Sequence, residues 1–395
     1  MEEKRERAIG RREFLGGAAA GAAPFVFGAA ARADEPPAPP GAPWIGVISR
    51  QRNPDNLEFP FPTLGGFLTP NEQFYVRSHF DVPSLEADSW RLSVEGAVQK
   101  PFEIGCDDLR KMPSHTVTAL LECAGNGRVF LKPPQLGIRW ELGGASNAEW
   151  TGVRLSDLLD RAGVRDGAVD VVLEGADKGE YRDPNPKTPG VIPYARSLPL
   201  EKARRPEVLL AYRMNGKDLS SAHGFPVRAV VPGWYGMASV KWLKRILVVD
   251  RPFSGFFQTF MYTMWERRDG LPTLAPVRDL QVKAEIARPA LDEVVPAKSK
   301  QRVFGAAWAG EADVTRVDVS TDGGKSWDEA RLLDKAVPFA WRLWEHEWQT
   351  PEKAGRRVLM ARATDSRGRV QPMERDDDRR DGMISHVLPV EVEVR

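Results

Sequence analysis

Cysteine and histidine are scarce. Two cysteines and five histidines occur among 395 residues. Cys106 and Cys123 have no cysteine close by, and no Cys-x-x-Cys-His motif is present. This excludes a disulfide-rich scaffold, a structural zinc site and an attached c-type haem. A single Cys106–Cys123 disulfide remains open. An excess of one charge is also missing. Lys and Arg number 56 against 55 Asp and Glu, a formal net of +1, so no bulk field favours nucleic acid or an anionic membrane. No run after the N-terminal leader is long and apolar enough to span a bilayer. Long helices are few as well, since 35 glycines and 32 prolines imply many turns. Tryptophan is what the chain has in plenty. Its 12 copies suit well-packed β-rich or mixed cores, and the length allows two of them.

The first 33 residues read as a leader. Arg11-Arg12 precedes Glu13-Phe14-Leu15, a mildly apolar Gly/Ala stretch and Ala31-Arg32-Ala33, the pattern of a twin-arginine signal peptide. The run is too short and too rich in glycine for an anchor. Export to the periplasm is therefore expected. That route carries folded cargo, which suits a cofactor inserted before export. Residues 34–45, DEPPAPPGAPWI, form an extended Pro-rich linker.

Residues 46–272 mix strand and helix patterns. WRLSVEGAV (90–98) alternates like a strand, and VRLSDLLDRAGV (153–164) is an amphipathic helix stopped by Gly163. VDVVLEGAD (169–177), FPVRAVVPG (225–233) and VKWLKRILVVD (240–250) read as further strands. Residues 273–395 change character. VTRVDVSTDGGKSW (314–327), RRVLMARATDSRGRV (356–370) and HVLPVEVEVR (386–395) are strands split by polar turns, the signature of an immunoglobulin-like sandwich. ERDDDRRDG (374–382) is charged and reads as a solvated loop. The expected class is α+β, a mixed domain followed by an all-β sandwich.

Cys123 stands in LLECAGNGR (120–128), after a strand-like run and five residues before Arg128. It can be a buried small hydrophobe or half a disulfide, a nucleophile, or a metal-bound thiolate. Gly125 and Gly127 would let the backbone approach a bulky ligand. A lone thiolate beside an arginine suits a metal whose other ligands come from a cofactor.

ECAGNGR resembles the Cys-Ala-Gly-Asn-x-Arg signature of the sulfite oxidase family of molybdenum enzymes. FYVRSHFDVP (74–83), LEGADKGEY (173–181), HGFPVR (223–228) and VPGWYGMASVKWLKRI (231–246) are similar to further segments of that family, in order. DVSTDGGKSW (318–327) and AWRLWE (340–345) resemble its dimerisation domain. The resemblance implies a sulfite-oxidase-type molybdopterin domain, molybdenum with molybdopterin as cofactor, and a homodimer through the second domain. It makes Cys123 the protein ligand of the metal. Arg77 and Arg128 become substrate cations, Tyr262 the active-site tyrosine and Trp140 a pocket wall. His79, Asp177, His223, Arg228, Ser239 and Lys241 become pterin and phosphate contacts. Taken singly, these arginines read as salt bridges and the aromatics as core.

Two departures limit the analogy. Gly127 stands where many sulfite oxidisers carry an arginine, and Met237-Ala238-Ser239 replaces the Ala-Arg-His of animal relatives. A third pocket cation, supplied by the second domain in some relatives, has weak candidates in Arg331 and Arg342. The chain shows no haem-binding segment, so a separate electron acceptor is expected, a periplasmic c-type cytochrome. The leading expectation is oxidation of sulfite, a small oxyanion, to sulfate. Reduction of another oxyanion such as nitrate, or of a sulfoxide, is the alternative. An exported, non-catalytic binding protein is the third reading.

Overall fold

The computed structural model describes residues 46–181, 187–333 and 335–395. The expected leader (1–33) and linker (34–45) lie outside those residues.

Two five-stranded sheets build the first part of the described chain. One runs in the order Phe102–Gly105, Arg91–Gly96, Leu243–Val249, Asp170–Gly179, Ile192–Pro199. It is mixed, because Arg91–Gly96 lies parallel to Leu243–Val249 while the other pairings are antiparallel. The other sheet sets His115–Glu122 against Ala145–Arg154, which pairs with Leu209–Met214; Lys217–Asp218 and Arg228–Val230 complete it. Helix Leu155–Ala162 buries Leu155, Leu158, Leu159 and Ala162 on one face. It ends at Gly163, whose φ of 66° lets its amide return to Leu159 and Asp160. Each leucine sealed this way contributes about 1.5–3 kcal/mol.

The second part is the expected sandwich. A four-stranded sheet (Lys283–Arg288, Lys300–Trp308, Arg342–Gln349, Arg331–Leu332) faces a five-stranded one centred on Val390–Val394, Gly355–Asp365 and Val314–Ser320. Val303, Val317, Val319, Trp344 and Leu359 meet between them, their side chains turned inward from the two sheets. No helix among the described residues is long and apolar enough to cross a membrane. Cys106 opens helix Cys106–Lys111 within one core and Cys123 lies in another; both thiols are free.

Three expectations change. The strand expected over 240–250 begins only at Leu243, because Trp242 adopts φ 50° and turns the chain at Lys241. Only Arg228–Val230 of 225–233 is strand. The run 374–382 is not a free solvated loop. Arg375 donates to the carbonyls of Arg380, Gly382 and Met383, and Met383 N donates to Ala124 O at 2.6 Å. Guanidinium forks cap a turn's carbonyls well, so charge here folds the segment onto the cysteine loop.

Candidate active site

The expected site residues converge from distant segments. Cys123 follows the last residue of His115–Glu122, Arg77 and His79 come from the stretch after Val76, and Asp177 from Asp170–Gly179. Lys241 sits at the Trp242 turn, and Tyr262 follows a π-helical turn at Phe257–Met261. Together with His223, Arg228 and Ser239 they line one open pocket of about 630 Å³, its mouth included.

One end of the pocket is cationic. Arg228 donates to the carbonyls of His223 at 3.1 Å and Ser239 at 3.0 Å, and Lys241 to Ala222 O at 2.8 Å and Ser78 Oγ at 3.1 Å. Among the described residues, no carboxylate forms an ion pair with either. Burial pushes Arg228 down to about 10. Burial, and then Arg228, pushes Lys241 well below the usual lysine range. Burial holds His223 neutral, its pKa down to about 3, with Lys241 and Arg228 adding to the effect. Two cations contacted by carbonyls, a hydroxyl and the faces of Trp150 and Trp242 form a seat for an anion.

Asp177 lies beside this end. Burial raises its carboxyl to about 7 against the pull of Lys241 and Arg77. Its Oδ1 is buried without a partner, which costs about 1–3 kcal/mol until a donor arrives. Gly175 leaves the space for it, since a Cβ there would stand 2.4 Å from that oxygen.

At the other end sits the Cys123 thiol, 8% exposed. Arg77 donates to Asn56 Oδ1 at 3.3 Å and to Ser78 O. Burial opposes its charge, but Tyr262, Tyr181 and Cys123 together hold it above the ordinary arginine value. The Tyr262 hydroxyl lies 2.5 Å from His79 Nε2, and the His79 ring stacks on Tyr194 at 4.4 Å. Burial raises the Tyr262 phenol, partly offset by Arg77, and the same burial keeps His79 neutral. The neutral imidazole and phenol can pass or hold a proton between them beside a cation that can seat an oxyanion.

Two expected residues do not line the pocket. Arg128 donates to Asp381 O and Ile138 O, both at 3.0 Å, outside the lining, though its charge still acts on Tyr262. Of the two glycines expected to clear space, Gly125 faces this guanidinium, as does Gly137, since a Cβ at either would meet its Nη1 at 2.4 or 2.9 Å; Gly127 faces Ile384 and Leu388 instead. Trp140 is fully buried behind Tyr75, edge-on at 6.2 Å, with Nε1 unpartnered. Neither candidate third cation reaches the site, for Arg331 pairs with Glu345 and Arg342 donates to Val314 O. Arg380 was missed. From the charged run it donates to Thr263 Oγ1, directly after Tyr262, and, at 3.5 Å, to Phe260 O, two residues before it. Nothing in its local pattern distinguishes it from the neighbouring charges.

Comparison with known proteins agrees with this geometry. Residues 79–257 match the oxidoreductase molybdopterin binding domain family, and residues 275–384 the Mo-co oxidoreductase dimerisation domain family. The chain is 39% identical to the sulfite oxidase of Gallus gallus over 85% of its length and 74% of that protein. The chain belongs to the sulfite oxidase family. It is 38% identical to the mitochondrial sulfite oxidase of Mus musculus, of which it spans 61%. Its fold superposes on the sulfane dehydrogenase SoxCD from Paracoccus pantotrophus with a TM-score of 0.76 at 29% identity, covering 89% of this chain and 90% of that one.

Family members of this kind carry molybdenum on molybdopterin, and the residues present fit that group. Cys123 offers a soft thiolate, Arg228 and Lys241 an anion seat, and Asp177 an unsatisfied acceptor for a ring amino group. Among the described residues no group of three or more His, Cys, Asp or Glu side chains is placed to hold a metal ion. When bound, the cofactor supplies two-electron redox chemistry at the Cys123 end.

Two tests arise here. Asp177 has a raised folded pKa, so its contribution to stability is present below 3.8 and lost as pH rises through about 7. The Asp177→Asn variant of the cofactor-free protein will lack this decline, read as melting temperature against pH; parallel curves for the two proteins would refute it. Gly127 has φ 88°, and a Cβ there would stand 3.1 Å from Ile384 Cγ2. Gly127→Arg will therefore lose about 2–4 kcal/mol in denaturant unfolding. A variant as stable as the parent would remove this reason for the glycine.

Proposed function

We propose that this chain oxidises sulfite to sulfate. A water oxygen is added, and two electrons leave for a separate acceptor, a c-type cytochrome. The observation that carries the reading is a soft thiolate candidate, Cys123, sharing one pocket with the guanidinium of Arg77, whose hydrogen bonds to Asn56 and Ser78 involve no carboxylate, and with the Tyr262–His79 couple. Arg77 would hold the substrate oxygens by charge-assisted bonds, Tyr262 and His79 would manage the released protons, and the buried walls would exclude bulk water. Relatives named as sulfite oxidases support the substrate. The Arg11-Arg12 leader supports export to the periplasm, and the second domain supports a homodimer.

Molybdenum-loaded protein should reduce ferricyanide and cytochrome c in a sulfite-dependent way. No turnover by loaded protein would reject sulfite. A second reading, action on another oxyanion, a sulfane or a sulfoxide, is favoured by Gly127, where the left-handed backbone and the Ile384 side chain would strain the second arginine of many sulfite oxidisers. Viologen-driven reduction of nitrate or sulfoxide would favour it. Replacing Arg11-Arg12 with two lysines should leave the protein in the cytoplasm, and light scattering on the mature chain tests the dimer.

A further inference from the structure

A closed polar network lies on the far side of the cysteine loop from the pocket. Glu122 is the last residue of its strand and directly precedes Cys123, so the two side chains leave on opposite faces. Glu122 Oε1 accepts from Lys283 Nζ at 3.1 Å and from Asn126 Nδ2 at 3.2 Å, and Oε2 accepts from Trp308 Nε1 at 2.9 Å. Glu285 Oε1 closes the ring, accepting from Lys283 at 2.6 Å and from Asn126 at 3.3 Å. None of these five residues is more than 3% exposed.

The ring grips the cysteine from both sides in sequence. Glu122 holds the residue before it, and Asn126 the residue three after it. Asn126 Oδ1 also accepts from Gly144 N at 3.0 Å, and Gly144 O accepts the Cys123 amide at 2.8 Å. The Cys123 peptide is thus fixed by side chains whose own positions are set by Lys283, Glu285 and Trp308. Those three belong to the segment matched by the dimerisation domain. Domain adhesion alone would be served as well by apolar contacts, without the desolvation cost of three buried charges. A connected network gives directional restraint, which apolar packing does not, even with Glu285 Oε2 left without a partner.

We propose that Lys283, Glu285 and Trp308 of the second domain are positioning residues for the metal ligand. They act through Glu122 and Asn126 to set the direction of the Cys123 thiolate. The proposal rests on Cys123 being that ligand. It makes the sandwich part of the redox site, not only a dimerisation surface.

The test uses the full, molybdenum-loaded protein. Trp308→Phe removes one hydrogen bond and keeps most of the packing; Glu285→Gln keeps shape and removes a charge. Both should load metal and show a displaced thiolate-to-molybdenum absorption band and altered Mo(V) electron paramagnetic resonance. kcat should fall about tenfold at unchanged KM. Spectra of the loaded fraction that superpose on the parent's, with only a lower melting temperature, would overturn the proposal and leave the network as domain adhesive. If Trp308→Phe does not fold, Glu285→Gln decides by the same criterion. Cys123→Ser separates the layers. If it loses the absorption band, the ligand assignment stands whatever the network variants do; if it keeps the parent band, ligand assignment and proposal fall together.

Discussion

Cys123→Ser will fold, and its sulfite turnover will drop by at least about a thousandfold. The reason is chemical, not structural. The backbone at this position is held by Cys123 N to Gly144 O at 2.8 Å and Asn126 N to Cys123 O at 2.9 Å, neither of which uses the side chain. A serine fits the space and costs less than about 1.5 kcal/mol in packing. Its alcohol, however, is a harder and far more basic donor than a thiolate, and a redox metal held by it has a different potential and a different open face. Cys106→Ser is the control. Cys106 opens a helix in a separate core, 3% exposed, so its loss should lower the melting temperature slightly and leave turnover unchanged. Circular dichroism, elemental molybdenum and ferricyanide turnover on both variants settle the matter. Activity of Cys123→Ser within about tenfold of the parent would reject the thiolate as ligand.

How much of this was legible before the structure depends on what each residue answers to. The sandwich was readable because alternation over Val314–Ser320, Gly355–Asp365 and Val390–Val394 is a local property of the chain. Helix Leu155–Ala162 was readable for the same reason, from its leucine spacing and Gly163. Most of the pocket residues came from resemblance. No local pattern says that Asp177, Lys241 and Tyr262 meet, since three separate strand ends bring them together. Lys241 illustrates the limit. Its segment reads as unbroken strand, yet Trp242 takes φ 50° and donates Nε1 to Ser221 O at 2.7 Å, breaking the strand where the ammonium is needed. Arg128 shows the converse. Its spacing from Cys123 suggests a pocket cation, but Gly125 and Gly137 open a slot that takes its guanidinium to two carbonyls instead. Arg380, which bonds to Thr263 Oγ1 next to Tyr262, sits in a charge-rich run where composition points to solvent. Charge runs are ambiguous in this way because the same guanidinium caps a carbonyl or meets water, and only the neighbouring backbone decides.

Lys241→Met separates what is good for the fold from what is good for the cofactor. The ammonium is partly buried, stacked on the Trp242 ring at 4.1 Å and bonded to Ala222 O and Ser78 Oγ. Burial, then Arg228, depresses its pKa well below 10.5. A base with a depressed folded pKa contributes stability that is present above its unfolded value and lost as pH falls through the folded one. At neutral pH the parent lysine therefore weakens the cofactor-free protein. Methionine fills the same stem volume without the charge, so the cofactor-free variant should be at least as stable at pH 7, by up to about 4 kcal/mol. It should also lose the gain in stability that the parent shows as pH rises toward 10.5. Cofactor retention moves the opposite way. Losing one charge-assisted bond to an anion costs about 1.5–3 kcal/mol, roughly ten- to a hundredfold in affinity. Purified Lys241→Met should hold less molybdenum per chain, with the loaded fraction keeping the parent KM for sulfite. A melting temperature that collapses in the cofactor-free variant would make Lys241 a structural lysine. Undiminished molybdenum content would remove it from the anion seat and leave that role to Arg228 alone.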